Sequence, residues 1–372
     1  MSTPSSSPST TGHPVVCFNN IFHGRRVLLT GHTGFKGSWL ALWLKQLGAD
    51  VACLALAPDT TPNHWSLLNL GLEEYLVDIR DDAAVQKTMA LVKPDIVFHL
   101  AAQPLVRRSY ADPLTTWATN VQGTAHVLEA CRHVTSVKAI VAVTTDKCYE
   151  NQEWLWGYRE NDRLGGHDPY SASKAGAELV AASYRQSYFS KEGSPLLATA
   201  RAGNVIGGGD WSEDRLIPDM VRASKLGESV EIRSPNATRP WQHVLESLSG
   251  YLLLGQRLLQ RRPGFAEAWN FGPDDSGNQT VSAVLSRLHQ HWDGLRWHVT
   301  GTPQPHEAGL LQLDSTKART LLEWAPVWGF DEGLKRTADW YRFYLKKGEV
   351  STGTQLADYV EAAMVKRVGW AI

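Results

Sequence analysis

Gly31-His32-Thr33-Gly34-Phe35-Lys36-Gly37 is the stretch whose reading decides the fold. It directly follows Arg26-Val-Leu-Leu-Thr30, a short apolar run of the buried-strand type. It also opens the helical apolar spacing of Ser38 to Leu47, which stops at Gly48. The glycines at 31, 34 and 37 suit a tight turn whose backbone must lie close to a pyrophosphate. The helix start behind them supplies N–H donors and a partial positive charge. Strand, glycine turn and helix together predict a dinucleotide cradle, with Thr33, Phe35 and Lys36 beside the glycines.

Outward from the cradle, Asp50 to Leu56, Lys93 to Leu100, Lys138 to Thr144 and Leu196 to Arg201 read as further strands. Helical patterns at Asp82 to Val92, about Leu114 to His133 and about Tyr170 to Phe189 alternate with them. This alternation predicts an α/β fold, a Rossmann-type doubly wound parallel sheet with ligands at the carboxyl ends of its strands. After Arg201 the rhythm changes. Gly203 to Asp214 is glycine-rich, and short elements with Trp and Pro follow. The expected organisation is a disordered tail at 1–20, a dinucleotide-binding domain at 21–201 and a smaller C-terminal substrate-binding lobe at 202–372. Segments near 240–262 are expected to return to the first domain.

The 372 residues suffice for a full core, and a formal net charge of −1 gives no general attraction for nucleic acid or anionic membrane. No apolar run approaches the roughly 20 residues of a membrane span. Residues 1–14 are rich in Ser, Thr and Pro and have no apolar core of a secretory signal. Cys17, Cys53, Cys131 and Cys148 form no CxxC pair, and no Cys/His spacing suggests a metal. Free thiols in a reducing compartment, the cytoplasm, are expected, with Cys148 simply packed. The 15 tryptophans are expected mainly to fill core, some of them offering flat ligand surfaces in the C-terminal half.

Tyr170 and Lys174 lie four apart on a helix and so share a face. A free phenol has a pKa of about 10 and is ionised on the order of 0.1 per cent at neutral pH. A neighbouring ammonium and a cationic nicotinamide ring would both favour the phenolate, making Tyr170 a base for a substrate hydroxyl. Thr145, some 25 residues earlier at a strand end, is placed to orient that hydroxyl. Asp146-Lys147 beside it is either an acid–base pair or a surface ion pair, and its setting favours the first. The acid that normally holds the adenosine ribose, about 20 residues past the glycine cradle, is missing near Ala57, with Asp59 the nearest. Residues 50–65 hold no Lys or Arg for a 2′-phosphate, which favours NAD unless Lys36 turns inward. Asp78-Ile79 suits either an adenine contact or a helix cap.

These landmarks, together with His99-Leu100-Ala101-Ala102-Gln103, Asn120 and Arg201-Ala-Gly-Asn204-Val-Ile-Gly-Gly-Gly-Asp210-Trp211, resemble the extended short-chain dehydrogenase/reductase family from about 24 to 345. Within it the chain looks most like the nucleotide-sugar 4,6-dehydratases. Asp146-Lys-Cys-Tyr-Glu-Asn151 and Arg239-Pro-Trp-Gln-His-Val-Leu245 resemble the branch acting on CDP-glucose. The resemblance implies NAD as a temporary hydride store, with Leu100, Ala101, Ala102, Gln103 and Asn120 among the cofactor contacts. It implies Tyr170, Thr145 and Lys174 at C4 and Asp146 as the acid for the leaving C6 hydroxyl. Relatives place glutamate where Lys147 stands. A protonated amine cannot accept a proton, so Lys147 acts either as the C5 base in its neutral form or as a stabiliser of the enolate. For the substrate it implies Asn204 at the sugar or diphosphate, Arg215 and Arg239 at the diphosphate, and Trp241 and His243 at the nucleoside. Arg107 and Arg108 are further candidates at the sugar, and His306-Glu307 is similar to a family segment without assigned chemistry. A homodimer through Ala118–Ala130 and Ala175–Tyr184 is also implied. The rivals are a 4-epimerase, which would not need Asp146-Lys147, and a non-catalytic dinucleotide-binding protein, for which retention of Tyr170 and Lys174 is unexpected.

Overall fold

The computed structural model describes residues 17–300 and 309–372. His306-Glu307 and residues 1–16 of the expected tail lie outside the described residues. The core is one sheet of seven strands: β1 (Arg26–Thr30), β2 (Asp50–Ala55), β3 (Glu73–Leu76), β4 (Ile96–His99), β5 (Ala139–Val143), β6 (Leu196–Ala202) and β7 (Ala268–Phe271). Their order is β7-β6-β5-β4-β1-β2-β3, and every pairing is parallel. The chain winds from β1 to one edge, returns, and winds to the other. The order therefore reverses between β1 and β4, where Thr30 pairs with His99 and a crevice opens beyond the strand ends.

Both faces of the sheet are covered, which explains the continuous apolar runs of the central strands. Leu28, Ala52, Val97, Ile140 and Leu197 pack beneath α2 (Asp82–Val92), α3 (Gly123–His133) and α4 (Pro169–Ser187). Val27, Leu29, Cys53, Phe98 and Val141 face α1 (Phe35–Gln46) and α6 (Val244–Leu259). Between β6 and α6, α5 (Leu216–Leu226) belongs to the smaller lobe, with α7 (Val281–His291) and short strand pairs at 230–232 with 297–299 and 238–240 with 278–280.

Several elements differ from expectation. β3 reads Glu-Glu-Tyr-Leu and sits at the sheet edge, largely exposed, so it lacks an apolar signature. The helix expected over 114–133 is three pieces, Pro113–Trp117, a π-turn at Ala118–Gln122, and α3. The return to the first domain is wider than 240–262. It includes α6, β7 and α9 (Thr352–Val365), which follows α8 (Phe330–Lys347) and packs on α1. Residues 17–20, expected in the tail, form a turn whose Phe18 is fully buried and stacked on Trp370 at 5.0 Å. Trp39, Trp43, Trp269, Trp324, Trp340 and Trp370 are core. Only Trp211 and Trp241 among the tryptophans face the crevice. All four cysteines are free and buried. Among the described residues no helix is long and apolar enough to cross a membrane.

Candidate active site

A cavity of about 1120 Å³ fills the crevice. At its cofactor end, Gly31 has φ +79°, and a Cβ there would lie 2.6 Å from the Ala101 nitrogen. A Cβ on Gly37 would lie 2.1 Å from the Gly31 oxygen. A Cβ on Gly34 would meet only the Gly31 oxygen, at 3.4 Å, so this glycine leaves the mouth of α1 open to the cavity. These three contacts assign the glycines separate tasks and fit a pyrophosphate on the helix N-terminus. Gly37→Ala is accordingly expected to weaken NAD binding at least about tenfold in a calorimetric titration, because the turn must open to admit the methyl group. Unaltered affinity would dissociate the turn from the cofactor.

Thr33 Oγ1 donates to the Leu56 carbonyl at 3.0 Å and ties the cradle to the end of β2. Thr30 Oγ1 accepts from the Leu100 and Ala101 amides, holding Leu100, Ala101 and Ala102 along the cavity wall. Phe35, Gln103 and Ile79 line it too. Asp78 also lines it but caps no helix. Its carboxylate accepts from Arg80 at 2.6 and 2.9 Å, which holds it below the usual carboxylate range, and Asp81 caps α2 instead. Lys36 does turn inward. Its ammonium donates to the Tyr251 hydroxyl at 3.2 Å, near Asp146 and Lys174, and burial, helped by Arg215, lowers its pKa to about 7. Asp59 holds Arg108 at 3.0 Å. Asn120, expected at the cofactor, stands behind the wall. Its side chain accepts from the Gln103 amide at 2.8 Å and donates to the Gln103 carbonyl and Ser173. It therefore positions Gln103 without reaching the cavity.

The reacting end is built where β5 ends and α4 begins. Asp168 caps α4 by accepting from the Ser171 amide at 2.9 Å, and Pro169 starts the helix. That fixes Tyr170 in the first turn and Lys174 one turn on. Thr145, Asp146, Lys147, Tyr170 and Lys174 all line the cavity. Burial pushes Tyr170 up to about 12, and the hydrogen bond with Thr145 only partly offsets this. Burial dominates the surroundings of this phenol. Lys174 donates to the Val143 carbonyl at 3.3 Å, and burial lowers its pKa to about 8 against the opposing charge of Glu178.

Asp146 is 1 % exposed. Its Oδ1 accepts from Thr145 at 2.9 Å, while its buried Oδ2 has no hydrogen-bond partner among the described residues. Gly203 makes room for that oxygen, since a Cβ there would sit 3.1 Å from it. Burial raises the Asp146 pKa, with Lys147, Thr145, Arg239 and Lys36 opposing. A buried carboxyl with one unsatisfied oxygen at a cavity wall is suited to hold a proton and give it away. Lys147 is half-buried beside it on a short helical turn.

On the substrate side Asn204, Arg215, Arg239 and Trp241 line the cavity. Arg215 donates to Asp210 at 3.0 Å, and Trp241 Nε1 to the Gln279 carbonyl at 3.0 Å. His243 does not reach the cavity. It caps α6 by accepting from the Leu245 amide and packs between Trp39 and Trp328. Arg107 and Arg108 also line the cavity and pair there with Asp214 at 3.1 Å and Glu213 at 2.8 Å. The residue without a local sequence signal is Tyr251, which comes from a remote segment. Among the described residues no group of three His, Cys, Asp or Glu side chains could hold a metal.

The sheet order, the glycine cradle and the Tyr170/Lys174 helix define a short-chain dehydrogenase/reductase of the extended kind. The chain belongs to the GDP-mannose 4,6 dehydratase family, whose pattern it matches over residues 28–337. It is 47% identical over 352 residues to a CDP-glucose 4,6-dehydratase of Salmonella typhimurium, covering 92% of this chain and 98% of that one. It is 33% identical to a dTDP-glucose 4,6-dehydratase of Streptomyces antibioticus, covering 85% and 92%. Among solved structures it resembles an epimerase of Methanothermobacter thermautotrophicus, with TM-score 0.76, 25% identity and coverage of 88% and 96%. It also resembles a dTDP-glucose 4,6-dehydratase of Streptomyces venezuelae solved with NAD bound, with TM-score 0.73, 26% identity and coverage of 85% and 97%.

Proposed function

We propose that the protein dehydrates CDP-glucose to CDP-4-keto-6-deoxyglucose with NAD held throughout the cycle. The observation that carries this reading is the Asp146 carboxyl, buried, raised in pKa and half-unsatisfied, on the same cavity wall as Tyr170. Bound NAD supplies hydride acceptance from C4 and its return at C6. Tyr170, beside Thr145 on the cavity wall, takes the C4 hydroxyl proton, and Lys174 keeps positive charge beneath it. The 4-ketone acidifies the C5 hydrogen. Asp146 protonates the departing C6 hydroxyl, which leaves as water, and Lys147 serves the C5 side as base or enolate stabiliser. Arg215, Arg239 and Asn204 hold the diphosphate and sugar.

The cytidine preference is supported by the 47% identity to an enzyme of that name. Incubation with CDP-, dTDP-, UDP- and GDP-glucose, scored for keto-sugar, tests it, and preferential turnover of another nucleotide would overturn it. Substrate deuterated at C4 separates the reaction from 4-epimerisation. Dehydration carries the label to C6, and epimerisation returns it to C4.

The same reading includes a cytoplasmic homodimer. Four buried free thiols support the reducing compartment. Leu114, Trp117 and Leu179 form an exposed apolar patch across Pro113–Trp117 and α4, where Trp117 lies against Gly176. Trp117→Glu is expected to convert the dimer to monomer in sedimentation. A dimer that survives this change together with Leu179→Glu would place the interface elsewhere.

A further inference from the structure

We propose that Glu178 and Arg201 form a positioning pair that sets the loop of Asp146 and Lys147 against Tyr170 and Lys174. The proposal rests on the dehydratase reading given above. Tyr170, Lys174 and Glu178 recur every four residues along one face of α4. Residues 145–148 are bracketed by Thr144 and Tyr149, and the pair grips both. Thr144 Oγ1 donates to Glu178 Oε1. Arg201 Nη1 donates to the Tyr149 hydroxyl at 2.8 Å, and Arg201 Nη2 to Glu178 Oε2 at 2.8 Å. The result is a closed ring that runs from Thr144 through the reacting loop to Tyr149, Arg201, Glu178 and back. Thr199 Oγ1 donates to Glu178 Oε2 at 2.8 Å, and Arg201 Nη1 also reaches the Glu160 carbonyl at 2.9 Å. The Tyr149 hydroxyl donates to Asn270 at 2.7 Å on β7, which fastens the ring to the sheet edge.

Glu178 and Arg201 are each 3 % exposed, and neither lines the cavity. A buried ion pair is poor at adding stability, because desolvation cancels much of the attraction and apolar residues of equal size often do as well. What such a pair does supply is directional geometry from a planar fork and a two-oxygen acceptor. Here that geometry joins the helix that carries the oxidation groups to both ends of the loop that carries the elimination groups. A misplacement of about 1 Å at a reacting group can cost on the order of 100-fold.

The test uses the NAD-loaded enzyme and Tyr149→Phe, which removes one hydroxyl and keeps the ring, with Glu178→Gln as an independent second variant. Absorbance of the reduced nicotinamide in a single turnover reports C4 oxidation, and keto-deoxysugar formation reports elimination. We expect elimination to fall roughly 10- to 100-fold in both variants, and in Tyr149→Phe, which leaves the Glu178 charge beside Lys174 intact, oxidation to change less than about threefold and substrate KM to stay within about twofold. Combined with Asp146→Asn, Tyr149→Phe should add no further loss, because the group it positions is already gone. Equal loss in both steps, full additivity with Asp146→Asn, or wild-type elimination, each in Tyr149→Phe, would overturn the positioning role. Should Glu178→Gln fail to fold, Tyr149→Phe and its double variant still decide the matter. A wild-type enzyme that makes no keto-deoxysugar from any nucleotide sugar would defeat the dehydratase reading instead, a result distinguishable from all of these.

Discussion

Asp146→Asn is expected to slow formation of the keto-deoxysugar by about 10²–10⁴-fold while C4 oxidation still proceeds. Asparagine keeps the size and the hydrogen bond with Thr145 but has no proton to give to the C6 oxygen. Substrate should then reduce the bound nicotinamide and stall, so that the reduced cofactor accumulates. The pH dependence follows from the same residue. Burial raises the Asp146 pKa, so its acid form persists to higher pH than an ordinary carboxyl allows. Elimination should fall as pH rises through that raised value, and the limb should vanish in Asp146→Asn. A variant with full turnover and an unaltered pH profile would remove Asp146 from the chemistry.

Tyr170→Phe should depress both steps, again by about 10²–10⁴-fold, because elimination cannot begin until C4 is a ketone. The phenol is 7 % exposed, with only its oxygen needed at the cavity, so Phe should fold and bind NAD normally. No transient reduction should appear on mixing with substrate. The protein's own field holds this phenol near 12. On the mechanism proposed above, a cationic nicotinamide ring would favour the phenolate through opposite charge. Rapid reduction by substrate in Tyr170→Phe would show that another group removes the C4 proton.

The parts of this site legible in the sequence are those whose meaning is local. The spacing of Gly31, Gly34 and Gly37 after an apolar strand requires only a turn and a helix start. Tyr170 and Lys174 lie one helical turn apart. Thr145-Asp146-Lys147 follows directly from a strand. In each case neighbours in sequence are neighbours in space. Asn120 and His243 read equally well as ligand contacts, but tertiary packing turned both toward backbone amides, of Gln103 and Leu245. No periodicity reports that rotation. Lys36 likewise takes a partner 215 residues away, the Tyr251 hydroxyl, which no local pattern announces. β3 was hidden by the polar residues an edge strand carries, and β7 by the long stretch that separates Ala202 from Ala268.

The packing around Trp370 has a practical side. Trp370 is stacked on Phe18 and set edge-on to Trp43, a residue of the helix whose other end forms the cofactor cradle. An insertion or affinity handle placed beside Trp370 would begin almost inside this aromatic sandwich. Handles for purification or immobilisation belong elsewhere on the molecule, away from a cluster that braces the helix of the cradle.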